Sequence, residues 1–275
     1  MPPALVGAAL RDRLRVSPGD HVRLAKVDPG ETLGHAKDDA TTVIQAGLDR
    51  LTSLQDRIWA EHRHAVLIVL QGMDGAGKDG AVGHVMSAFN PQGCTVAGFK
   101  VPTADELDHD YLWRVHRVVP GRGSIAIFNR SHYEDVLVVR VHDLVPRPVW
   151  QARYDEINAF EELLVDSGTT VIKFFLHISL DEQRRRLQAR LDDPTKRWKF
   201  QKGDLAERAL WPAYQAAYED ALARCSTTAA PWYIVPADHK WFRDLAVAEI
   251  LGQTLDGLRP QFPPPSPDLD GLKVE

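Results

Sequence analysis

The chain has 275 residues, of which 44% are hydrophobic, and a formal net charge of −5. This hydrophobic content can form a buried core, which argues against a disordered chain, and the acidic balance argues against a surface that coats nucleic acid. No stretch reaches the roughly 20 apolar residues that cross a membrane, and the N-terminus shows no secretion signal. We therefore expect a cytoplasmic protein that binds neither nucleic acid nor membranes.

The first 64 residues contain one clear helical pattern and no clear strand. Apolar residues recur near helical spacing from 40 to 63, which predicts an amphipathic helix ahead of the core. Residues 65–70 are a continuous apolar run that ends at a glycine-rich turn, as is typical of a central parallel strand covered on both faces. We therefore assign residues 1–64 to a helical extension.

The rest of the core alternates short apolar runs with helical patterns. This alternation predicts parallel βαβ units and a three-layer α/β/α fold with a mostly parallel central sheet. Five prolines between residues 260 and 267 stop the last helix, so the core is assigned to 65–260 and a Pro-rich tail to 261–275. The further predicted strands are 95–99, 124–128, 171–178 and 232–235, and the predicted core helices are 81–89, 106–118, 151–165, 205–223 and 239–258.

The first predicted strand ends in a glycine-rich loop. Residues 72–78 read Gly-Met-Asp-Gly-Ala-Gly-Lys and match the P-loop pattern Gly-x-x-x-x-Gly-Lys, between a strand and a helix. Such a loop directs backbone N–H groups at phosphate oxygens, and its lysine neutralises their charge. We predict that Gly75, Ala76, Gly77 and Lys78 bind phosphate and that Lys78 is catalytic. The alternative is a glycine-rich turn with no ligand, which the surrounding strand and helix disfavour.

Asp79 follows the P-loop lysine, where Ser or Thr usually binds the magnesium ion of a nucleotide. This departure argues against a simple ATP-binding role for the loop. We include Asp79 in the phosphate-binding loop, with a mainly structural role at the start of the helix. Asp74, inside the loop, is predicted to be catalytic and to face a metal ion.

A second polar element follows the predicted strand 124–128. Residues 129–135 read Asn-Arg-Ser-His-Tyr-Glu-Asp, and the carboxyl ends of strands in open α/β sheets border the ligand crevice. We predict that Arg130 is catalytic and that Asn129 and Arg130 bind nucleotide. Glu134 and Asp135 are predicted metal ligands. Their alternative role, as first-turn carboxylates of a helix, has equal support.

Four blocks of the sequence, in this order, resemble the polyphosphate kinase 2 family: 72–79, 128–135, 197–200 and 231–240. The resemblance extends over roughly residues 33–258 and is more specific than the P-loop alone. It implies a thymidylate-kinase-like P-loop kinase fold with a mobile helical lid. It also implies reversible transfer of phosphoryl groups between inorganic polyphosphate and nucleotides with Mg²⁺, or with Mn²⁺ in its place.

The Asn-Arg-Ser-His-Tyr-Glu-Asp form of residues 129–135 looks like the branch of this family that accepts both AMP and ADP. The resemblance therefore implies adenine or other purine nucleotides as substrates, ADP and ATP as products, and a homo-oligomer. It also offers an account of Asp79, because a loop that holds polyphosphate has less need of the magnesium-binding hydroxyl.

A basic segment follows the predicted strand 171–178. Residues 184–202 contain eight basic and two acidic residues, and we assign a lid to about residues 181–203. A chain of phosphates needs several Arg and Lys side chains along a groove. A solvated helix face is the alternative for about half of these charges. The predicted polyphosphate ligands are Arg186, Arg190, Arg197 and Lys199.

Three further basic residues lie after the second predicted strand or on the helix that follows it. Lys100, Arg114 and Arg117 are predicted to bind the acceptor nucleotide. Two other functions remain open from the residues themselves: an ATP-dependent kinase of a nucleotide or small molecule, and a non-catalytic phosphate-binding module.

Overall fold

The structure is a computed structural model, and it describes residues 7–267 and residue 274. Five strands form one parallel sheet in the order β2-β3-β1-β4-β5. β1 is central and every one of its residues is buried, as its continuous apolar run predicts. The strand bounds are β1 Ala65–Gln71, β2 Cys94–Gly98, β3 Ile125–Asn129, β4 Thr169–His177 and β5 Trp232–Pro236.

Helices cover both faces of this sheet. One face carries α2, α3 and α11, and α7 and α10 pack together on the other, so the predicted three-layer α/β/α fold is confirmed. In the part of the chain that the structure describes, no helix is both long and apolar enough to span a bilayer. The helix bounds are α1 Gly7–Leu14, α2 Lys37–Glu61, α3 Lys78–His84, α4 Ala104–Leu107, α5 Trp113–His116, α6 Val138–Val141, α7 Arg147–Asp166, α8 Leu180–Asp192, α9 Gly203–Ala209, α10 Trp211–Cys225 and α11 Lys240–Gly257.

The N-terminal segment lies directly against the core. The Val16 N–H donates to the Trp232 carbonyl at 2.9 Å, and the Ser226 hydroxyl donates to the Val16 carbonyl at 2.6 Å. Leu10 and Leu14 are buried in the same hydrophobic core as the sheet. The segment before α2 therefore extends the core at β5.

Three predicted helices differ from the observed ones. The prediction of one helix over residues 106–118 is wrong. Asp110 Oδ1 accepts the Leu112 N–H at 3.0 Å, and this local turn separates α4 from α5. The helix 205–223 is two helices, because Pro212 cannot continue a helix and instead occupies the first turn of α10. The helix 81–89 begins earlier, at Lys78, and ends in a 3-10 turn.

The strand order places two connections at one end of the sheet. The chain leaves β1 through α3 toward one edge, and it leaves β3 through α6 and α7 toward the other. Ligands of open α/β sheets bind outside the strand ends where connections diverge in this way. Leu70 and Asn129 are paired in register, and the Arg130 N–H donates to the Leu70 carbonyl at 3.1 Å. The crevice therefore lies between the ends of β1 and β3.

The predicted Pro-rich tail is described as far as residue 267, and its residues 268–273 and 275 lie outside the described residues. At its start, the Gln261 N–H donates to Glu61 Oε2 at 3.2 Å. The beginning of the tail therefore lies against the end of α2.

Candidate active site

The P-loop lysine is buried at the end of β1. Lys78 is 8% exposed, and its ammonium donates to the carbonyls of Gly72 at 2.6 Å and Met73 at 3.3 Å. Burial lowers the pKa of Lys78 to about 8, and the positive charge of Arg130 adds to this effect. The negative charge of a phosphate on the loop would oppose both effects and favour the charged lysine, so the loop is suited to an anionic ligand.

Arg130 joins the two polar elements. Its guanidinium donates to Asp74 Oδ1 at 2.9 Å and to Glu134 Oε2 at 3.4 Å. Burial disfavours its charged form, but the carboxylates of Glu134 and Asp74 outweigh this and raise the pKa of Arg130. Its φ of 65° is a left-handed conformation that costs free energy outside glycine, and such strain is typical of functional sites. The structure thus brings the predicted catalytic residues Asp74, Lys78 and Arg130 together.

Asn129 and Asp79 form a second link between these elements. The Asn129 side-chain amide donates to Asp79 Oδ1 at 2.8 Å. Asp79 is exposed in the first turn of α3, where a carboxylate is favourable. This contact agrees with a structural role for Asp79. It also occupies the side-chain amide of Asn129, a residue that we predicted to bind nucleotide.

A buried ionic network holds the segment after Arg130. The Tyr133 hydroxyl donates to Glu161 Oε1 at 2.9 Å, His132 Nε2 lies 3.2 Å from the same oxygen, and Lys173 forms an ion pair with Glu161. Burial opposes the charge on Glu161, but Lys173 and His132 outweigh it, so the pKa of Glu161 lies below its usual value. The network fixes His132 and Tyr133, and with them the backbone that carries Arg130 and Glu134.

Asp135 and Glu134 have different surroundings. Arg153 donates to Asp135 Oδ1 at 3.0 Å, and Arg114 lies 3.8 Å from Oδ2. Burial raises the pKa of Asp135 although both arginines lower it. Glu134 instead accepts from Gln71 at 3.1 Å and from Arg130, at the edge of the crevice. Both residues lie in a 3-10 turn, and the geometry favours Glu134 over Asp135 as the carboxylate that faces a ligand.

The described residues contain no cluster of three metal-binding side chains. Mg²⁺ at phosphate-transfer sites is commonly held by one or two carboxylates, with substrate phosphates and water completing its shell. Asp74 and Glu134 meet this requirement, because both flank Arg130 beside the P-loop. The donor set therefore fits a magnesium ion that arrives with phosphate.

The predicted lid has two parts with different contacts. Arg186, on α8, donates to the carbonyls of Gly75 at 2.9 Å, Ala76 at 3.0 Å and Asp238 at 3.0 Å. Its guanidinium therefore binds the P-loop backbone, and its direct contact with polyphosphate stays a prediction. Arg197 and Lys199 lie in an exposed 3-10 turn beyond α8. We call residues 193–203 the outer lid.

The hydrogen bonds of the outer lid are mainly local. Arg197 Nε donates to the Leu191 carbonyl at 2.9 Å, and the Lys199 ammonium lies 5.2 Å from the centre of the Trp198 ring. Trp198 is 76% exposed. Arg190 is half-buried near the end of α8. The exposed charges at this edge can thus turn toward a ligand, and their binding role stays a prediction.

The three residues predicted to bind nucleotide are not equivalent. Arg114 is buried and donates to the Lys100 carbonyl at 2.9 Å, beside Glu106 at 3.6 Å. Lys100 is exposed just beyond β2. Arg117 is exposed with its guanidinium 4.6 Å from the centre of the Trp113 ring. Lys100 and Arg117 are therefore more available to a ligand than Arg114.

Two glutamines that we did not predict also shape the site. Gln71, the last residue of β1, donates to Ser131 Oγ at 3.2 Å and to Glu134. Gln183, on α8, donates to the Asp74 carbonyl at 2.8 Å. A polar residue at the end of an apolar strand was a usable signal for Gln71. Nothing in the local sequence of Gln183 indicates its contact with the loop.

A parallel α/β sheet, a P-loop lysine and an arginine bridged to two carboxylates together define a P-loop phosphotransferase. The family model "Polyphosphate kinase 2" matches residues 35–263. The chain is 51% identical to an AMP/ADP-polyphosphate phosphotransferase of Meiothermus ruber, over 96% of this chain and 99% of that protein. It is 44% identical to an ADP-polyphosphate phosphotransferase of Rhodopseudomonas palustris, over 93% of each chain.

A solved structure gives the same result. The crystal structure of polyphosphate kinase 2 from Arthrobacter aurescens superposes with a TM-score of 0.90 at 44% identity, covering 96% of this chain and 93% of that one. This chain belongs to the polyphosphate kinase 2 family. The resemblance inferred from the four sequence blocks is confirmed.

Proposed function

We propose that the protein is an enzyme that transfers phosphoryl groups between inorganic polyphosphate and nucleotides, with AMP and ADP as acceptors. The observation that carries this proposal is the buried Lys78 beside Arg130, at a P-loop whose next residue is Asp79. Family membership and the names of the two relatives support polyphosphate as the donor. An enzyme that uses only ATP as donor and a non-catalytic module are correspondingly less favoured.

In the proposed reaction, a terminal phosphate oxygen of the nucleotide attacks the end phosphorus of polyphosphate. A new P–O bond forms, the bond to the next phosphate breaks, and its electrons remain on the shortened polyphosphate. No general base is needed, because the attacking oxygen is already ionised near neutral pH. Lys78 and Arg130 stabilise the negative charge that spreads over the transferring group.

Asp74 and Glu134 would hold a magnesium ion, which supplies charge neutralisation on the phosphate oxygens when bound. Lys100 and Arg117, with Asn129, are the proposed contacts of the acceptor nucleotide. The basic residues of the lid, Arg190, Arg197 and Lys199, are the proposed contacts of the polyphosphate chain. Mg²⁺ dependence with Mn²⁺ as substitute, reversibility, a homo-oligomer, a cytoplasmic location and the absence of nucleic-acid and membrane partners also belong to the proposal.

A matrix of donors and acceptors tests this function. Purified protein is incubated with AMP or ADP and either polyphosphate or ATP, with Mg²⁺, with Mn²⁺ or with a chelator, and the nucleotides are separated by chromatography. We expect ADP and ATP from the polyphosphate arms, and loss of product with the chelator. Product with ATP as donor and none with polyphosphate would instead support an ATP-dependent kinase, and ligand binding without any product would support a binding module.

A further inference from the structure

Arg243 is a buried charge behind the P-loop that the Gly-x-x-x-x-Gly-Lys pattern does not include. It lies in the first turn of α11 and is 2% exposed. Its Nε donates to Asp244 Oδ1 at 2.8 Å, and its Nη2 lies 2.7 Å from the same oxygen. The carboxylate therefore occupies one edge of the guanidinium, which leaves Nη1 on the other.

Two glycines of the P-loop region make room for this guanidinium. A Cβ on Gly77 would overlap Arg243 Nη1, and a Cβ on Gly80 would lie 3.0 Å from Nη2 and 3.1 Å from Nη1. Gly77 also has a φ of 103°, which favours glycine in any case. Gly80 lies within α3, where glycine lowers helix stability and no positive φ requires it. Contact with Arg243 is thus a physical reason for glycine at position 80.

The guanidinium also adds to the positive charge around Gly77. A Cβ on this glycine would lie 3.5 Å from Arg186 Nη1, and Lys78 is the next residue. Burial lowers the pKa of Arg186, and the charge of Arg243 adds to that effect while Glu182 opposes it. Arg243 meets Asp244 through Nε and Nη2, and Arg186 meets Glu182 through Nε, whereas the Nη1 group of each arginine lies against the loop. A polyanion on the open side of the loop is therefore favoured by both.

We propose that Arg243 is a positioning residue of the polyphosphate site, which supports the P-loop at Gly77 and Gly80 and presents a buried positive charge to the bound phosphates. The identity of the anion rests on the proposed function. The competing role is simple packing between α11 and α3, with no preference for the ligand.

The first test compares kinetic constants of two variants. R243M/D244N removes both buried charges with similar volume, and R243K keeps the positive charge. We expect R243M/D244N to raise the KM for polyphosphate about fivefold, with the KM for ADP unchanged, because the positive member of the removed ion pair is the one that lies against the loop. R243K should stay near the wild-type KM. Equal changes for both substrates, or equal KM values for both variants, would overturn the proposal.

The second test is a double-mutant cycle on protein stability, which needs no activity. In the wild-type background, Gly80→Ala should lower the Tm because its Cβ crowds Arg243. In the R243M/D244N background, the same change should raise the Tm, since alanine favours a helix over glycine. The same sign in both backgrounds would contradict the contact. If R243M/D244N does not fold, Gly80→Ala alone tests the proposal. It should raise the KM for polyphosphate and leave the KM for ADP unchanged. An unchanged KM for polyphosphate would contradict the role of Arg243.

Different measurements test the proposed function and the role of Arg243. If the wild-type protein neither binds nor uses polyphosphate, as measured by calorimetry and by product formation, the proposed function is wrong. The other case is a wild type that uses polyphosphate. If Gly80→Ala and the Arg243 variants then have the same KM for polyphosphate as the wild type, only the role of Arg243 is wrong.

Discussion

The P-loop and the outer lid both carry the positive charge that a polyphosphate site needs, but the protein holds them differently. Lys78 and Arg186 are bound to backbone carbonyls of the loop, and Arg130 is bound to two carboxylates. Arg197 and Lys199 are exposed in a short turn. Under the proposed function, the charges of the P-loop region are fixed before substrate arrives, whereas the exposed charges of the outer lid can adjust to a long chain.

The largest expected effect is at the centre of the fixed region. Lys78→Ala should lower kcat/KM on the order of 10³-fold, because a preorganised charge beside the transferring phosphate is lost. Steady-state assays of ATP formation from ADP and polyphosphate measure this, with Lys37→Ala, an exposed residue at the start of α2, as the matched control. Turnover close to that of the control would show that the loop does not hold the reacting phosphates.

Arg130→Ala is expected to have the next largest effect, about 10²-fold in kcat. It removes a charge from the crevice and leaves Asp74 and Glu134 without their shared partner. Asn129→Ala is the neighbouring comparison: it breaks the bond to Asp79 and removes a proposed nucleotide contact, which should raise the KM for ADP, but it keeps the charge of Arg130. An equal loss in both variants would mean that the link between strand end and loop matters more than the charge of Arg130.

The lowered pKa of Lys78 predicts a pH effect of intermediate size. Its charge is lost as the pH rises through about 8, so kcat/KM for polyphosphate should fall about tenfold per pH unit above that value. The pKa of a lysine is higher in the unfolded chain. Between the two pKa values, the unfolded state binds more protons at Lys78 than the folded state does. The contribution of Lys78 to the free energy of unfolding of the ligand-free protein should therefore rise with pH in this range. A kcat/KM that stays constant up to pH 10 would contradict the buried, charged lysine.

The smallest effects are expected in the outer lid. Arg197→Gln or Lys199→Gln should each raise the KM for polyphosphate about two- to fivefold and change kcat little, because exposed charges contribute modestly and are screened by salt. Arg184→Gln is the control, since that exposed arginine lies 3.9 Å from Asp181 on the same helix. The same increase in the KM for polyphosphate in Arg184→Gln would favour the alternative that Arg197 and Lys199 belong to a solvated basic surface.

Much of the fold could be predicted from local sequence. Four of the five strands are largely apolar and buried, which is the pattern of parallel strands covered on both faces, and the edge strand β2 is partly exposed. Two of the three helices that differed contain Asp110 and Pro212, whose side chains interrupt a helix locally while the apolar spacing continues. Periodicity alone therefore misplaces such boundaries.

The grouping of the candidate site residues could be predicted where they lie in one short segment, as at residues 72–78 and 129–135, and their functional roles stay predictions. It was not predictable where contacts join distant segments. Whether Arg186 meets phosphate or loop carbonyls, and whether Asp135 faces a metal or Arg153, depends on tertiary packing that spacing does not encode. Arg243 reaches Gly80 across more than 160 residues, and no local pattern marks it.

The most direct test of phosphoryl transfer follows the phosphorus itself. Polyphosphate labelled with ³²P is incubated with unlabelled ADP, Mg²⁺ and the wild-type protein, without ATP, beside a parallel sample with Lys78→Ala. We expect label in the terminal phosphate of ATP with the wild type, and little transfer of label with Lys78→Ala. Label that remains in polyphosphate, or appears only as orthophosphate, would contradict this expectation.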